Sequence, residues 1–138
     1  MKPLELINET VEYYKTHPRG ISKEEGYCVY KSSTGDKCAV GRCIQDKFLD
    51  NDQLHQWVFV GGVEALEENL KKEHLTFEEV LKPEYRGQLK SVWKSLQNWH
   101  DRKEFWHGGN DIHNEPQKMT LQGQDFLKRM LSYHEREE

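Results

Sequence analysis

The sequence has no long hydrophobic run. Its longest uninterrupted apolar stretch, Trp57-Val58-Phe59-Val60, has four residues, whereas a helix that crosses a bilayer needs about 20. The amino terminus meets charged and polar residues at once and lacks the apolar segment of a secretory signal. We therefore expect a cytoplasmic protein that does not associate with membranes.

Hydrophobic residues are scarce, and they suffice for only one small core. They make up 35% of the 138 residues. Leu, Val, Phe and Ile together come to about 22%, just above the ~20% below which chains tend toward disorder. Because the length is also that of one domain, we expect a single folded domain over residues 1–138.

Positive charge is not in surplus, and cysteine is rare. The 20 Lys and Arg against 24 Asp and Glu give a net charge of -4, which argues against general nucleic-acid binding because that requires excess cations. The three cysteines Cys28, Cys38 and Cys43 show neither a Cys-x-x-Cys pair nor a full zinc-ligand pattern. We expect reduced, packed thiols and no cofactor. Since nucleotide-binding and catalytic fingerprints are also missing, the sequence disfavours an enzyme.

Helical periodicity dominates what remains. Apolar residues at helical spacing predict a first helix over residues 3–16, and Thr120 is placed to cap a last helix. The longest predicted helix covers residues 84–104, with its apolar side chains within roughly 120° of one another on a helical wheel. We predict a mainly α fold of the α+β class, with about four helices around this long central helix.

One segment predicts a small β-hairpin. Residues 27–30 and 37–40 are rich in strand-forming side chains and flank a turn-rich stretch, residues 32–36. Alternatively, residues 38–41 already begin a helix that runs to Ile44 and beyond.

His100 and Asp101 are adjacent on the predicted central helix and have two interpretations. The pair is similar to the metal ligands of metal-dependent phosphohydrolases, which would make this a small hydrolase. The helical wheel instead places His100 in the middle of the apolar face and Asp101 on its outer flank. Because adjacent residues 100° apart do not readily converge on one metal, we favour a hydrogen-bonded core histidine.

Two binding surfaces can also be predicted. A basic strip beside the apolar face of the long helix, together with the aromatic pair Trp57 and Phe59, would form a surface for a protein partner. The strip consists of Lys82, Arg86, Lys90 and Lys94. Alternatively, these charges form a solvated helix face. Cations with a stacking tryptophan would instead form a pocket for a nucleotide or another small anion, because ring stacking and positive charge recognise bases and phosphates together. The residues for that pocket are Arg42, Arg86, Lys90 and Trp99.

Three short motifs carry a family resemblance. Residues 26–30 (Gly-Tyr-Cys-Val-Tyr), residues 35–44 with their Cys-Ala-Val-Gly core, and residues 96–101 (Leu-Gln-x-x-His-Asp) occur in this order, and Trp106 follows. The chain resembles an uncharacterised family of small phage and bacterial proteins. The resemblance implies a phage-type accessory protein, located in the host cytoplasm if phage-encoded, which binds a host protein or a signalling molecule. It implies no catalytic residues.

Overall fold

The computed structural model describes residues 1–21, 29–112 and 114–137. This part of the chain is mainly helical. It contains seven α-helices, which are α1 (Pro3–Thr16), α2 (Asp46–Leu49), α3 (Asp52–Trp57), α4 (Val63–Lys72), α5 (Phe77–Val80), α6 (Lys90–Asp101) and α7 (Leu121–Glu135). Three short 3-10 turns lie between them, at Gly41–Cys43, Pro83–Tyr85 and Lys103–Phe105.

Helix α6 lies at the centre of the core. Its apolar face is formed by Val92, Trp93, Leu96 and Trp99, all buried, as the helical wheel predicts. Helix α7 packs against both α6 and α1, while α4 covers another side of α6. The candidate site lies at the carboxyl end of α6, between α1 and the first turns of α7.

The boundaries of α1 and α7 confirm the sequence prediction. Pro3 occupies the first turn of α1, where a missing backbone N–H costs nothing. The Thr120 hydroxyl accepts a hydrogen bond from the Gly123 N–H and so caps α7. Thr76 caps the short α5 in the same way.

The predicted helix over residues 84–104 is wrong in its length. The chain forms a 3-10 turn before Arg86, and Gly87 then takes a φ of 89° that ends regular helix geometry. Helix α6 begins only at Lys90 and ends at Asp101. The predicted helix is therefore a turn, a 12-residue helix and a second turn.

The predicted β-hairpin is not supported. Tyr27 and Cys28 lie outside the described residues, and residues 29–40, which the structure describes, contain no strand. An isolated bridge joins Lys31 to Lys37. Residues 38–40 are then all fully buried in succession, whereas a hairpin strand alternates its side chains between two faces. The alternative prediction, a helix that begins at residues 38–41, is closer to the structure, but the helical part is only the 3-10 turn at Gly41–Cys43.

The estimate of about four helices is too low because three of the seven described helices, α2, α3 and α5, have only four to six residues, too few to show an apolar period. Helix α3 is mostly polar and depends on the Asn51 side chain, which caps its Gln53 and Leu54 N–H groups. In the described ranges, no helix combines the length and the apolar character that spanning a bilayer requires.

Candidate functional site

A groove of about 620 Å³ opens between α1, the carboxyl end of α6, the segment after it and the first turns of α7. This volume lies within the range of small-molecule sites, roughly 300–1,000 Å³. Five separate stretches of the chain line the groove. Their residues are Val11, Tyr14, Lys15, Trp99, Trp106, His107, Pro116, Gln117, Lys118, Met119 and Gln124.

Three aromatic rings form the floor of the groove. The Trp99 ring lies edge-on to Tyr14 and to Trp106, with centroid distances of 6.1 and 4.8 Å. The Trp106 indole N–H donates to the Trp99 carbonyl at 3.1 Å, and the Tyr14 hydroxyl donates to the Lys37 carbonyl at 2.6 Å. Because each of these polar tips is satisfied within the protein, the rings are held in place. Each ring is at most 3% exposed, so only a small apolar part of it reaches the groove.

Arg19 is not among the described lining residues, but it supports one wall of the groove through its contacts with residues that are. Its guanidinium lies 4.9 Å from the Trp106 ring centroid and donates to the Gln117 Oε1 at 3.3 Å and to the Gly109 carbonyl at 3.1 Å. The Gln117 amide nitrogen donates in turn to the carbonyls of His107 and Gly109. The buried arginine thus fixes the segment that follows Trp106 before any ligand arrives.

The rim of the groove is positively charged. Lys15 and Lys118 are both exposed, and the described lining residues include no carboxylate and no thiol. Lys15 forms an ion pair with Glu12 at 2.6 Å. The Lys118 ammonium has no ion-pair partner among the described residues. An apolar floor below a cationic rim suits a ligand with an apolar body and a negative charge.

His100 is fully buried and hydrogen-bonded, which confirms the core-histidine interpretation. Its Nδ1 lies 2.7 Å from the Asp101 carboxylate, and its Nε2 lies 2.5 Å from the Arg19 carbonyl. The Arg19 guanidinium donates back to the His100 carbonyl, at the end of α6 where helix carbonyls lack partners. Both ring nitrogens are therefore engaged by the protein and neither is available as a metal ligand.

The described residues contain no group of three His, Cys, Asp or Glu side chains that could hold a metal ion. Asp101 is turned toward His100, and its side chain is 41% exposed. The geometry of this pair is that of a structural contact at the end of α6.

Two of the three motifs, residues 35–44 and residues 96–101, pack against one another. The Gln97 side chain accepts from the Val40 N–H at 3.2 Å, and the Cys38 sulfur accepts from the Gly41 N–H at 3.2 Å. A Cβ at Gly41 would overlap the Tyr30 carbonyl oxygen, so only glycine fits there. The Cys-Ala-Val-Gly and Leu-Gln-x-x-His-Asp segments thus form one buried contact, which explains these residue types by packing.

The two described thiols, Cys38 and Cys43, are buried and free. Burial raises the pKa of each from 9.0 to about 12. Thiolates are the reactive form of cysteine, so these side chains serve as apolar packing. Cys28 lies outside the described residues.

These raised pKa values predict a loss of stability in alkali. Between pH 9 and 12 the folded chain keeps thiol protons that the unfolded chain has released, so the free energy of unfolding falls as pH rises, by about 1.4 kcal/mol per pH unit for each thiol. Urea unfolding at about pH 8 to 11 measures this slope. Replacing Cys43 with alanine should remove the contribution of one thiol to this slope. An unchanged slope in Cys43→Ala would contradict the raised pKa assigned to Cys43.

Arg42 lies in the core rather than in a pocket. Its guanidinium pairs with the Glu9 carboxylate and donates to the Tyr85 hydroxyl at 3.1 Å and the Thr10 hydroxyl at 2.9 Å. It also lies 5.0 Å from the Tyr13 ring centroid. The side chain joins the Gly41–Cys43 turn to α1 and is not among the groove residues.

Three cations of the basic strip are engaged within the protein. Lys90 pairs with Glu67 at 3.0 Å and Lys94 with Glu64 at 2.7 Å, so two acidic side chains of α4 face them. Arg86 donates to two backbone carbonyls before α6. Such exposed pairs contribute about 0–1 kcal/mol each.

The aromatic pair Trp57 and Phe59 is divided between surface and interior. Trp57 is 74% exposed at the end of α3, whereas Phe59 is buried with its ring 6.0 Å from that of Tyr30. Of the nine predicted site residues, a set that includes His100 and Asp101, only Trp99 is among the described residues that line the groove.

A serine, a histidine and a carboxylate also lie in a row near the end of α7. The Ser95 hydroxyl is 2.9 Å from the His134 Nε2, whose Nδ1 is 2.8 Å from the Glu137 carboxylate. Ser95 lies inside α6, where backbone N–H groups are used by the helix. Nucleophilic catalysis needs such donors for the oxyanion, so this row of contacts serves to join α7 to α6.

Sequence reasoning missed Lys15, Trp106, Gln117 and Lys118 as site residues. They come from three segments that no local spacing connects. The neighbouring residues of Trp106, among which only Phe105 is a Phe, Tyr or Trp, form no motif that marks it as a site residue.

No known protein family, curated protein or solved structure matches this chain.

Proposed function

We propose that the protein is a non-enzymatic binding protein whose groove holds a small amphipathic anion. The observation that carries this proposal is the combination of an aromatic floor with a rim on which the described lining residues carry lysines and no carboxylate. Burial of an apolar ligand body against the floor supplies affinity, and the lysines select the sign of charge.

The chemistry of the lining supports binding rather than catalysis. Its titratable side chains beyond the two lysines are His107 and Tyr14, and the Tyr14 hydroxyl already donates to a carbonyl. General acid–base or nucleophilic catalysis needs a second partner within hydrogen-bond reach. The described lining offers no such pair.

The biological role that we propose follows the resemblance of the three motifs. A phage-type accessory protein can modulate its host by holding a signalling molecule, and this requires a shaped pocket without a reaction. An anionic small molecule fits both that role and the groove. The net charge of -4 favours a ligand recognised locally, because the molecule as a whole does not attract anions.

Thermal unfolding in the presence of three anions with apolar bodies, 2-naphthoate, decanoate and AMP, tests the proposal. An anion present at about 100 times its dissociation constant adds about 2.7 kcal/mol to stability. For a chain of this size that raises Tm by about 8 °C. We expect at least one of the three to produce such a concentration-dependent rise.

A matched pair of double variants locates the effect. Lys15→Gln with Lys118→Gln removes two cations from the groove, while Lys90→Gln with Lys94→Gln removes two from the basic strip. A roughly tenfold loss of affinity in the groove variant would halve the Tm rise at the same anion concentration, and the strip variant should keep the full rise. If no anion raises Tm, or if both variants respond alike, the groove is not the site.

A further inference from the structure

Building on the proposed function, we infer that the groove selects an aromatic monocarboxylate and places its carboxylate on Lys118. Three features of the groove support this choice. They are the identity of the free cation on the described rim, the number of charges that this rim can neutralise and the shape of the floor.

Among the described lining residues, Lys118 is the cation that is free to bind. The Lys15 ammonium is held by Glu12 at 2.6 Å on the same face of α1. A ligand carboxylate at Lys15 would therefore meet a neighbouring negative charge. Lys118 has no such partner within the described residues, and its carbonyl accepts from the His107 N–H at 2.9 Å. Its backbone is fixed on the groove wall while its ammonium remains available.

The neighbours of Lys118 place it beside the floor. Met119 follows it, and its sulfur accepts the Trp99 indole N–H at 3.3 Å. Met119 also forms an isolated bridge with Trp106. A ligand body lying against the two tryptophans is thus close to the Lys118 backbone, within the reach of a four-carbon side chain.

A single free cation on the described rim favours a single negative charge. A phosphate monoester carries close to two charges at neutral pH, and its second charge would have no partner among the described rim residues. Phosphate sites usually supply several backbone N–H donors or arginines, whereas the described lining contains no arginine. A carboxylate matches the single ammonium.

The floor favours a flat aromatic body. Its rings meet edge to face, and aromatic pairs in this arrangement gain affinity beyond the area they bury. An aromatic ligand would continue the series Tyr14, Trp99, Trp106, and it loses little conformational freedom on binding. An alkyl chain of the same carbon number buries similar area but must be ordered, which costs affinity.

Isothermal titration calorimetry with four probes tests the inference. The probes are 2-naphthoate, decanoate, 2-naphthalenemethanol and AMP, which vary flatness, charge and charge number. We expect 2-naphthoate to bind about fivefold or more tightly than each of the other three. Lys118→Gln should weaken 2-naphthoate about fivefold and leave 2-naphthalenemethanol unchanged, while Lys15→Gln should change neither by more than about twofold.

The outcomes separate this inference from the proposed function. If decanoate or AMP binds as tightly as 2-naphthoate, the aromatic monocarboxylate assignment is wrong while an anion site in the groove stands. The same conclusion follows if Lys15→Gln, and not Lys118→Gln, weakens the binding of 2-naphthoate. If none of the three anions binds, both the inference and the proposed function fail. Circular dichroism of each variant shows that a loss of binding is not a loss of fold.

Discussion

Replacing Arg19 with alanine is expected to lower the free energy of unfolding by about 3–5 kcal/mol. The guanidinium donates to the carbonyls of His100 and Gly109 and to the Gln117 side chain. Each buried acceptor left without a partner costs roughly 1–3 kcal/mol, and the space left beside Trp106 adds to the loss. Urea denaturation followed by circular dichroism measures the change.

Arg86→Ala is the matched control for this prediction. Arg86 also donates to two carbonyls, but it is exposed, and water can replace it. We expect a loss of no more than about 1 kcal/mol. Arg19→Lys keeps the charge but lacks the planar guanidinium, so its loss of unfolding free energy should lie between those of Arg86→Ala and Arg19→Ala. If Arg19→Ala costs no more than Arg86→Ala, Arg19 does not hold the groove wall together.

His100→Ala is expected to cost about 2–4 kcal/mol, because it removes a fully buried ring that packs in the core and hydrogen-bonds within it. Asp101→Ala should cost less, about 0.5–1.5 kcal/mol, since this carboxylate is partly exposed and the substitution removes its one hydrogen bond with the buried His100 ring. Chemical denaturation of the two variants gives the comparison.

A metal-dependent hydrolase would show the opposite pattern for these two residues. Both substitutions would then abolish metal binding and phosphatase activity while leaving stability similar or higher. A stable His100→Ala protein that has lost a measurable phosphohydrolase activity would overturn the structural role assigned to His100.

The parts of the fold that the sequence predicts are those determined by local chemistry. Proline at the start of α1 and threonine before α7 fix helix ends through their own backbone and hydroxyl groups, and such signals act within about four residues. The apolar face of α6 also follows from spacing alone. The predicted continuation of that helix before Lys90 is wrong because Gly87 takes a left-handed conformation. The sequence does not show which conformation a glycine in a periodic segment takes.

The candidate site depends on contacts between distant parts of the chain. Arg19 lies 81 residues from His100 in sequence, and its own neighbours indicate only the end of the first helix. Lys118 comes to lie beside the groove because the next residue, Met119, bridges to Trp106 and accepts the Trp99 indole N–H. Conversely, Arg42 and Lys90 look like free cations in the sequence, but Glu9 and Glu67 pair with them in the structure.

The most direct test of a ligand site in the groove is a ¹H–¹⁵N spectrum of the four tryptophan indole N–H groups during titration with 2-naphthoate. Trp99 and Trp106 line the groove, Trp57 is exposed elsewhere and Trp93 lies in the core, so the spectrum contains its own controls. Binding in the groove predicts saturable shifts of the Trp99 and Trp106 signals with those of Trp57 and Trp93 unmoved. Shifts confined to Trp57, or no shift at saturating concentration, would contradict it.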